Sequence, residues 1–272
     1  MARAALGFAG LLALAGIEAT TLATAAAALV VVSDRGSQKA PRDDPGVANV
    51  GSVWALSGVY LGNGWMLTAS HVSAGPTLLA GRRYEPVPDS AVPLQNPDGS
   101  PADLVLFRIQ GTPRLPKLRI APATPDPGAS VVLVACGRTR GAPTTWSGHE
   151  GFAWSATAAP RWGASEVFKS GVRANGTDAF ATQFRKDGGA PNEAQAALGD
   201  SGGAAFVKVD GKWLLAGVLY GIAGFERQPP ETALFGNLTL IADLSRYRAQ
   251  IEKLAAAPPP RAPAKPTKSR PR

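Results

Sequence analysis

The sequence predicts an all-β fold that ends in a single α-helix. Of the 272 residues, 31 are glycine and 24 are proline, a composition that favours turns over long helices. Short apolar segments recur between turn-forming pairs, with Asn-Gly at 63–64 and Asp-Gly at 98–99 and 210–211, and this spacing is typical of β-hairpins. The predicted strands are Trp54–Leu61, Trp65–Thr68, Leu104–Ile109, Val131–Val134, Ala204–Val209, Trp213–Leu219 and Leu234–Ile241.

The one predicted helix follows the last of these strands. Its apolar residues are spaced three, four and three apart, which places them on one face of a helix. They are Leu244, Tyr247, Ile251 and Leu254. Asp243 or Ser245 is suited to cap the first turn, because both side chains accept hydrogen bonds from helix N–H groups.

Residues 47–256 are predicted to form one folded domain, since neither an internal repeat nor a change of composition interrupts them. Residues 26–46 are interpreted as a polar leader, and residues 257–272, rich in Pro, Lys and Arg, as a disordered basic tail. The tail supplies five of the eight net positive charges, so the body is only weakly basic and nucleic-acid binding is not predicted. We interpret the tail as a solvated end, with weak contact to anionic envelope polymers as the alternative, and we expect a monomer.

The N-terminus predicts export. Residues 1–25 resemble a secretory signal, with Arg3 followed by the 14-residue apolar segment Ala4–Ile17 and small residues at Ala23–Ala25 as a cleavage site. That segment is shorter than the roughly 20 residues of a membrane-spanning helix. An uncleaved membrane anchor is the alternative, because apolar character resumes at Ala25–Val32. We therefore expect a periplasmic or extracellular protein.

Metal and disulfide chemistry are not predicted. The chain has one cysteine, Cys136, and two histidines, His71 and His149. One cysteine cannot form an intrachain disulfide, and this set is too small for a structural zinc site. The sequence implies no metal and no cofactor.

The sharpest motif is Gly199-Asp200-Ser201-Gly202-Gly203, in which glycines surround a serine. Glycines allow both a tight turn and the close approach of a substrate to the backbone, as a nucleophilic serine requires. The motif also matches the G-x-S-x-G turn of α/β-hydrolases. Those enzymes place their histidine after the serine, whereas both histidines here precede Ser201, so that interpretation fails.

A general base and an orienting acid must then come from earlier in the chain. His71 lies just beyond the apolar strand Trp65–Thr68, whereas His149 lies in a polar loop. Asp103 immediately precedes the strand Leu104–Ile109, whereas Asp98 is already explained by an Asp-Gly turn. His71 and Asp103 are therefore the predicted partners of Ser201, since the acid must orient the imidazole.

Three motifs in this order resemble the chymotrypsin-like serine endopeptidases. They are the Thr-Ala-x-His block ending at His71, the Asp-Leu-x-Leu strand beginning at Asp103, and Gly-Asp-Ser-Gly-Gly around Ser201. The resemblance covers roughly residues 51–254 and is closest to bacterial members without disulfides. It implies two antiparallel six-stranded barrels with the active site between them, and hydrolysis of peptide bonds through an acyl-enzyme.

The resemblance also implies roles for further residues. The N–H groups of Gly199 and Ser201 would form the oxyanion hole, and Gln195 would lie at the base of the primary specificity pocket. Leu219, Tyr220 and Gly221 would pair with the substrate. Because Gln195 is a neutral amide, we expect a small or medium uncharged side chain to be preferred over Lys or Arg.

The sequence departs from the family at its activation end. No Ile-Val-Gly-Gly start is present, so the partner of Asp200 is open: we expect an internal arginine or backbone donors. The alternative is an amine freed by signal removal near Ala25, which the polar segment Ser33–Gly46 disfavours. This departure also leaves a second function open, that of a catalytically silent protein that binds peptides or partner proteins.

Overall fold

The computed structural model describes residues 29–33, 39–158 and 160–256. The predicted signal segment and the basic tail lie outside these residues. The strands are β1 (Val30–Val31), β2 (Val50–Val53), β3 (Leu56–Gly62), β4 (Trp65–Thr68), β5 (Thr77–Leu79), β6 (Arg82–Tyr84), β7 (Val92–Gln95), β8 (Pro101–Arg108), β9 (Ser130–Ala135), β10 (Arg138–Trp146), β11 (His149–Ala158), β12 (Arg161–Ala174), β13 (Thr177–Gln183), β14 (Ala194–Gln195), β15 (Ala204–Val209), β16 (Lys212–Ala223), β17 (Thr232–Leu234) and β18 (Leu238–Asp243), followed by helix α1 (Leu244–Ala256). Within these ranges, none of the helical segments has the length and hydropathy to cross a bilayer.

The all-β prediction is confirmed, and the two halves of the chain close differently. In the second half, six strands form a closed barrel in the order β12-β13-β18-β16-β15-β9. In the first half, seven strands form a sheet in the order β6-β5-β2-β3-β4-β8-β7. Its outer strands β6 and β7 do not pair with each other, so a second closed barrel is not seen among the described residues. Pro93 in β7 has no N–H to donate, which suits an edge strand.

Two predicted elements have the local geometry that their sequence indicates. At the β15–β16 turn, Asp210 and Gly211 have φ of 48° and 73°, the left-handed pair of a two-residue hairpin. At the start of α1, the Asp243 carboxylate accepts the Ser245 N–H at 3.0 Å, so Asp243 is the cap. The helix buries Leu244, Tyr247 and Ile251, as its spacing predicts.

Two smaller groups of strands surround the barrel. Strand β1 pairs with β14 through Val30 and Gln195. Strands β10 and β11 form a long hairpin to which β17 adds a third strand. A small apolar cluster of Val30, Phe184, Ala197 and Ala233 packs between these groups and the barrel.

The core is held by apolar packing, since the single cysteine, Cys136, is free and buried. Phe206 in β15 is fully buried within the largest apolar cluster. We expect Phe206→Ala to lower the free energy of unfolding by about 3–5 kcal/mol, because it removes a ring from a packed core. Denaturant unfolding measures this loss.

The matched control is Phe168→Ala, because the Phe168 side chain in β12 is 52% exposed. Its unfolding free energy should change by no more than about 0.5 kcal/mol. Equal losses in the two variants would contradict the assignment of Phe206 to the core.

Candidate active site

A histidine–carboxylate pair lies where two neighbouring strands meet. Strand β4 ends at Thr68, three residues before His71, and pairs antiparallel with β8, which contains Asp103. The His71 Nδ1 lies 2.7 Å from Asp103 Oδ2, and the His71 backbone N–H donates to Oδ1 at 3.0 Å. The carboxylate therefore holds both the imidazole and the main chain of His71.

This contact changes the acidity of both groups. The hydrogen bond to Asp103 raises the pKa of His71, and partial burial opposes that effect. Burial alone would raise the pKa of Asp103, but hydrogen bonds from the side chain and backbone of His71 bring it below its usual value. The pair thus favours a protonated imidazole beside an ionised carboxylate, the state that a general base reaches during catalysis.

The loop that carries Ser201 is docked onto strand β3 of the other half. The Ser57 N–H donates to the Ser201 carbonyl at 2.9 Å, and Ser57 Oγ donates to the Gly199 carbonyl at 2.9 Å. Gly202 has φ of 91°, and a Cβ there would lie 1.9 Å from the Ser57 carbonyl and 2.1 Å from Thr68 Oγ1. Only glycine fits this position, and the loop therefore lies against the end of β4 that leads to His71.

The Ser201 hydroxyl itself makes no hydrogen bond to any described residue, and neither does His71 Nε2. The structure thus joins His71 to Asp103 and places the Ser201 loop beside the strand leading to them, without a direct bond between Ser201 and His71. Such catalytic hydrogen bonds are often long in ligand-free enzymes.

Two backbone donors in the loop are unused. Gly199 has φ of 96°, and neither its N–H nor that of Ser201 donates to an acceptor within the described ranges. Paired free N–H groups beside a serine hydroxyl are what an oxyanion requires. These two N–H groups are the donors expected from the sequence for an oxyanion hole.

Asp200 is fully buried and is held by backbone donors. Its Oδ2 accepts the Ala197 N–H at 2.7 Å, and its Oδ1 accepts the N–H groups of Gly137 at 2.8 Å and Leu29 at 3.4 Å. Burial raises the pKa of Asp200 to about 7, although the three N–H groups oppose this. Of the two internal partners expected from the sequence, the backbone donors are the ones observed.

The Leu29 contact changes the interpretation of the leader. Leu29, Val30 and Val31 are fully buried, although the sequence analysis assigned them to a polar segment. The polar character of Ser33–Gly46 does not keep the preceding residues out of the core, contrary to expectation. The backbone nitrogen of Leu29 instead reaches the buried carboxylate beside Ser201.

The predicted substrate-binding residues lie along and beneath the same loop. The Gly202 N–H donates to the Leu219 carbonyl at 2.7 Å, so β16 runs directly beside Ser201. Tyr220 is buried, whereas Gly221 is partly exposed. Gln195 is 1% exposed, and neither atom of its amide has a partner among the described residues.

The alternatives considered for the base and the acid have other contacts. His149 stacks on Phe225 with ring centroids 3.8 Å apart. Asp98 pairs with Arg173 at 2.7 Å and accepts the Ser100 hydroxyl. Neither residue bonds to His71 or Ser201.

No group of His, Cys, Asp and Glu suited to a metal ion occurs in the part of the chain described. A cavity of about 740 Å³ lies elsewhere, between α1, the β3–β4 turn, the β15–β16 turn and the segment Lys117–Pro122. None of His71, Asp103 and Ser201 lines it.

Sequence reasoning missed the residues that hold Asp103 from behind. Its N–H donates to Thr177 Oγ1 at 2.8 Å, across 74 residues of sequence. Asn96 in turn donates a hydrogen bond to the carbonyl of Gly176, the residue before Thr177. A buried contact between distant polar residues leaves no local pattern, although the Asn-Gly pair at 175–176 does mark the turn.

Comparison with known proteins supports the fold. No protein-family model matches the sequence, and no curated protein does. Mouse neuropsin, a serine protease, is 17% identical, with a TM-score of 0.52 over 80% of this chain and 98% of its own. Two structures of the protease Rv3671c of M. tuberculosis, both in inactive form, are 17% identical with TM-scores of 0.47 and 0.45, covering 79% and 76% of this chain and 90% and 88% of theirs. The chain thus has the fold of chymotrypsin-like serine proteases, as the motifs predicted.

The His71–Asp103 pair predicts a titration that can be observed directly. The pKa of His71 should lie above 6.5, and Asp103→Asn should lower it, because a neutral amide removes the negative charge that stabilises the protonated imidazole. NMR titration of the imidazole signals measures both values. His149→Ala, which removes the only other histidine, assigns the His71 signals. An unchanged His71 pKa in the variant would contradict the pairing.

Proposed function

We propose that the chain is an exported serine endopeptidase, with Ser201 as nucleophile, His71 as general base and Asp103 as the orienting acid. One observation carries the proposal: a hydrogen-bonded His71–Asp103 pair lies beside a serine loop that has two unused backbone donors. The fold agrees with this chemistry. The periplasm or the exterior is the proposed location, with the N-terminal membrane anchor as the alternative.

The proposed reaction forms and then hydrolyses an acyl-enzyme. As Ser201 Oγ attacks the peptide carbonyl carbon, its proton passes to His71 Nε2, and the oxyanion accepts the N–H groups of Gly199 and Ser201. His71 then donates that proton to the leaving amine as the C–N bond breaks. Water, deprotonated by His71, attacks the ester and releases the acid and Ser201. Asp103 keeps Nδ1 protonated throughout.

A second candidate is a catalytically silent protein that binds peptides. The absence of a bond between Ser201 and His71 in the described structure favours it, because an idle site needs no such contact. Retention of all three residues favours the enzyme, since binding alone needs none of them.

A covalent probe separates the two candidates. A fluorophosphonate should label the full chain, and Ser201→Ala and His71→Ala should each abolish labelling. His149→Ala is the matched control and should label like the wild type, because that imidazole contacts Phe225 instead. Labelling that survives Ser201→Ala would sink the assignment, and a wild type that binds peptides but never labels would support the silent protein.

We further propose that the enzyme prefers a small or medium uncharged side chain before the scissile bond. The support is Gln195, whose buried amide offers hydrogen bonds but no charge to pair with a cation. A peptide library should return few Lys or Arg sites. Gln195→Asp should raise the share of Lys and Arg sites, because a buried carboxylate stabilises a buried cation. A wild type confined to Lys and Arg would refute the assignment.

We also propose that the signal is cleaved just before Leu29, so that Leu29 becomes the N-terminal residue of the mature protein. Small residues, Ala26-Ala27-Ala28, precede it, as signal cleavage requires, and its nitrogen lies 3.4 Å from the Asp200 carboxylate. Cleavage there would convert an amide into an ammonium beside that buried acid. The sequence analysis placed the cleavage site earlier, at Ala23–Ala25.

Chains that begin at Leu29, Ala26 and Val47 test this step. With Leu29 internal, the unfolded chain ionises Asp200 at a lower pH than the folded chain does, so stability should fall as the pH rises from the usual aspartate pKa of 3.8 to about 7 and level off above it. A terminal ammonium favours the ionised carboxylate, so the Leu29 chain should be more active and more stable above pH 7. The chain that begins at Val47 lacks β1 and should lose both activity and stability. Equal turnover of the Leu29 and Ala26 chains would show that backbone donors suffice.

A further inference from the structure

The hairpin of β12 and β13 reaches from the barrel to the first sheet and ends against Asp103. Its turn, Asn175-Gly176, has φ of 46° and 77°, and Ala174 pairs with Thr177 across it, so the tip has one conformation. Thr177 is fully buried, and its Oγ1 accepts the Asp103 N–H at 2.8 Å. One side chain of the hairpin thus fixes the main chain of the proposed catalytic acid.

Asn96, 3% exposed at the end of β7, holds this hairpin in place. Its Nδ2 lies 2.8 Å from the Gly176 carbonyl, and its Oδ1 accepts the Asp178 N–H at 3.1 Å. These two residues flank Thr177. The same Nδ2 lies 3.0 Å from the carbonyl of Pro101, two residues before Asp103. One amide thus binds both the hairpin and the start of β8.

Helix α1 supplies the third anchor. Tyr247, 1% exposed, donates its hydroxyl to Asn96 Oδ1 at 2.6 Å and accepts the Asp178 N–H at 3.0 Å. Strand β7, the hairpin tip, α1 and β8 are therefore joined through buried polar groups that satisfy one another. Such a network is rigid and costly to break in a low-dielectric interior.

Charged groups surround the network, and Arg173 also contacts it, with Nη2 3.5 Å from the Gly176 carbonyl. Arg173 pairs with Asp98 at 2.7 Å and with Asp178 at 3.7 Å, and Arg246 lies 3.6 Å from Asp178. Tyr220 lies near Asp103, and its hydroxyl donates to the Ala174 carbonyl at 3.0 Å. Neutral substitutions at Thr177 and Tyr247 leave all these charges in place.

We propose that Thr177 and Asn96 are positioning residues: they hold Asp103 from the barrel, so that the alignment of its carboxylate with His71 depends on how the two halves pack. The catalytic consequence rests on the proposed function, but the alignment itself does not. The Asp103 carboxylate contacts His71, and its backbone N–H contacts Thr177. Loss of the Thr177 contact would therefore allow the carboxylate to move relative to His71. A misplaced acid would then weaken the hydrogen bond to His71 Nδ1.

The test is an NMR titration of His71 in the full-length protein. Thr177→Val keeps the shape of the side chain but removes the acceptor, and it should lower the pKa of His71 toward 6.5. Thr177→Ser keeps the acceptor and should restore the wild-type value. Tyr247→Phe removes one hydroxyl and should give a smaller shift in the same direction.

Thr239→Val is the matched control for loss of a buried acceptor. Thr239 is 1% exposed, and its Oγ1 accepts the Ala196 N–H at 3.0 Å, in the barrel rather than behind Asp103. The Thr239→Val variant should have a lower free energy of unfolding, like Thr177→Val, while its His71 pKa stays at the wild-type value. An unchanged His71 pKa in Thr177→Val, or an equal shift in Thr239→Val, would overturn the proposal. If Thr177→Val does not fold, Tyr247→Phe decides, and an unchanged pKa there has the same meaning.

A kinetic arm separates this proposal from the proposed function. If the protein is a peptidase, Thr177→Val should lower kcat on the order of tenfold to a hundredfold with little change in KM, because misalignment acts on the reaction and not on binding. The titration needs no turnover. A wild type that never labels with a fluorophosphonate would remove the peptidase assignment while leaving the His71 result standing.

Discussion

The site depends on the hydrogen bonds of one buried residue, Ser57. Its N–H and Oγ donate to the carbonyls of Ser201 and Gly199, and Oγ also accepts the Cys136 N–H at 2.8 Å. Its own carbonyl accepts Thr68 Oγ1 at 2.7 Å. A single position on β3 thus joins the serine loop, the end of β9 and the strand that leads to His71. Because these contacts reach three different segments, the spacing between the two halves is fixed where the chemistry needs it.

Buried polar contacts also stabilise the joints that lack a covalent link. Asn49 is fully buried and donates to the carbonyls of Tyr60 and Pro116, which ties the segment between the halves to β3. Asn96 does the same for the hairpin behind Asp103. Each amide satisfies backbone groups that would otherwise be buried without partners, and leaving them so would cost free energy. Specific polar pairs therefore set the geometry, and apolar packing supplies most of the stability.

Local patterns predicted seven of the eighteen described strands, the terminal helix and the pair at the centre of the site. The Asp210-Gly211 turn and the spacing of Leu244, Tyr247 and Ile251 depend on neighbouring residues, so the sequence alone was sufficient for them. The pairing of Val30 with Gln195 spans 165 residues, and no local signal marks it. Strand β12, whose first half alternates between buried and partly buried positions, was missed because few of its residues are large and apolar. That the first sheet stays open among the described residues also lay beyond the motifs, because closure depends on whether the edge strands β6 and β7 pair.

The buried thiol of Cys136 can report how often the contacts around Ser57 open. It lies at the end of β9 with 3% exposure, and burial together with the charge of Asp200 raises the pKa of its thiol to about 12. A thiol in that state is unreactive toward alkylating reagents, because the thiolate is the nucleophile and the reagent has no access. The rate of alkylation therefore measures how often the junction around Ser57 separates, at a single site and without an introduced label. In a chain with one cysteine, every modified molecule records one such event.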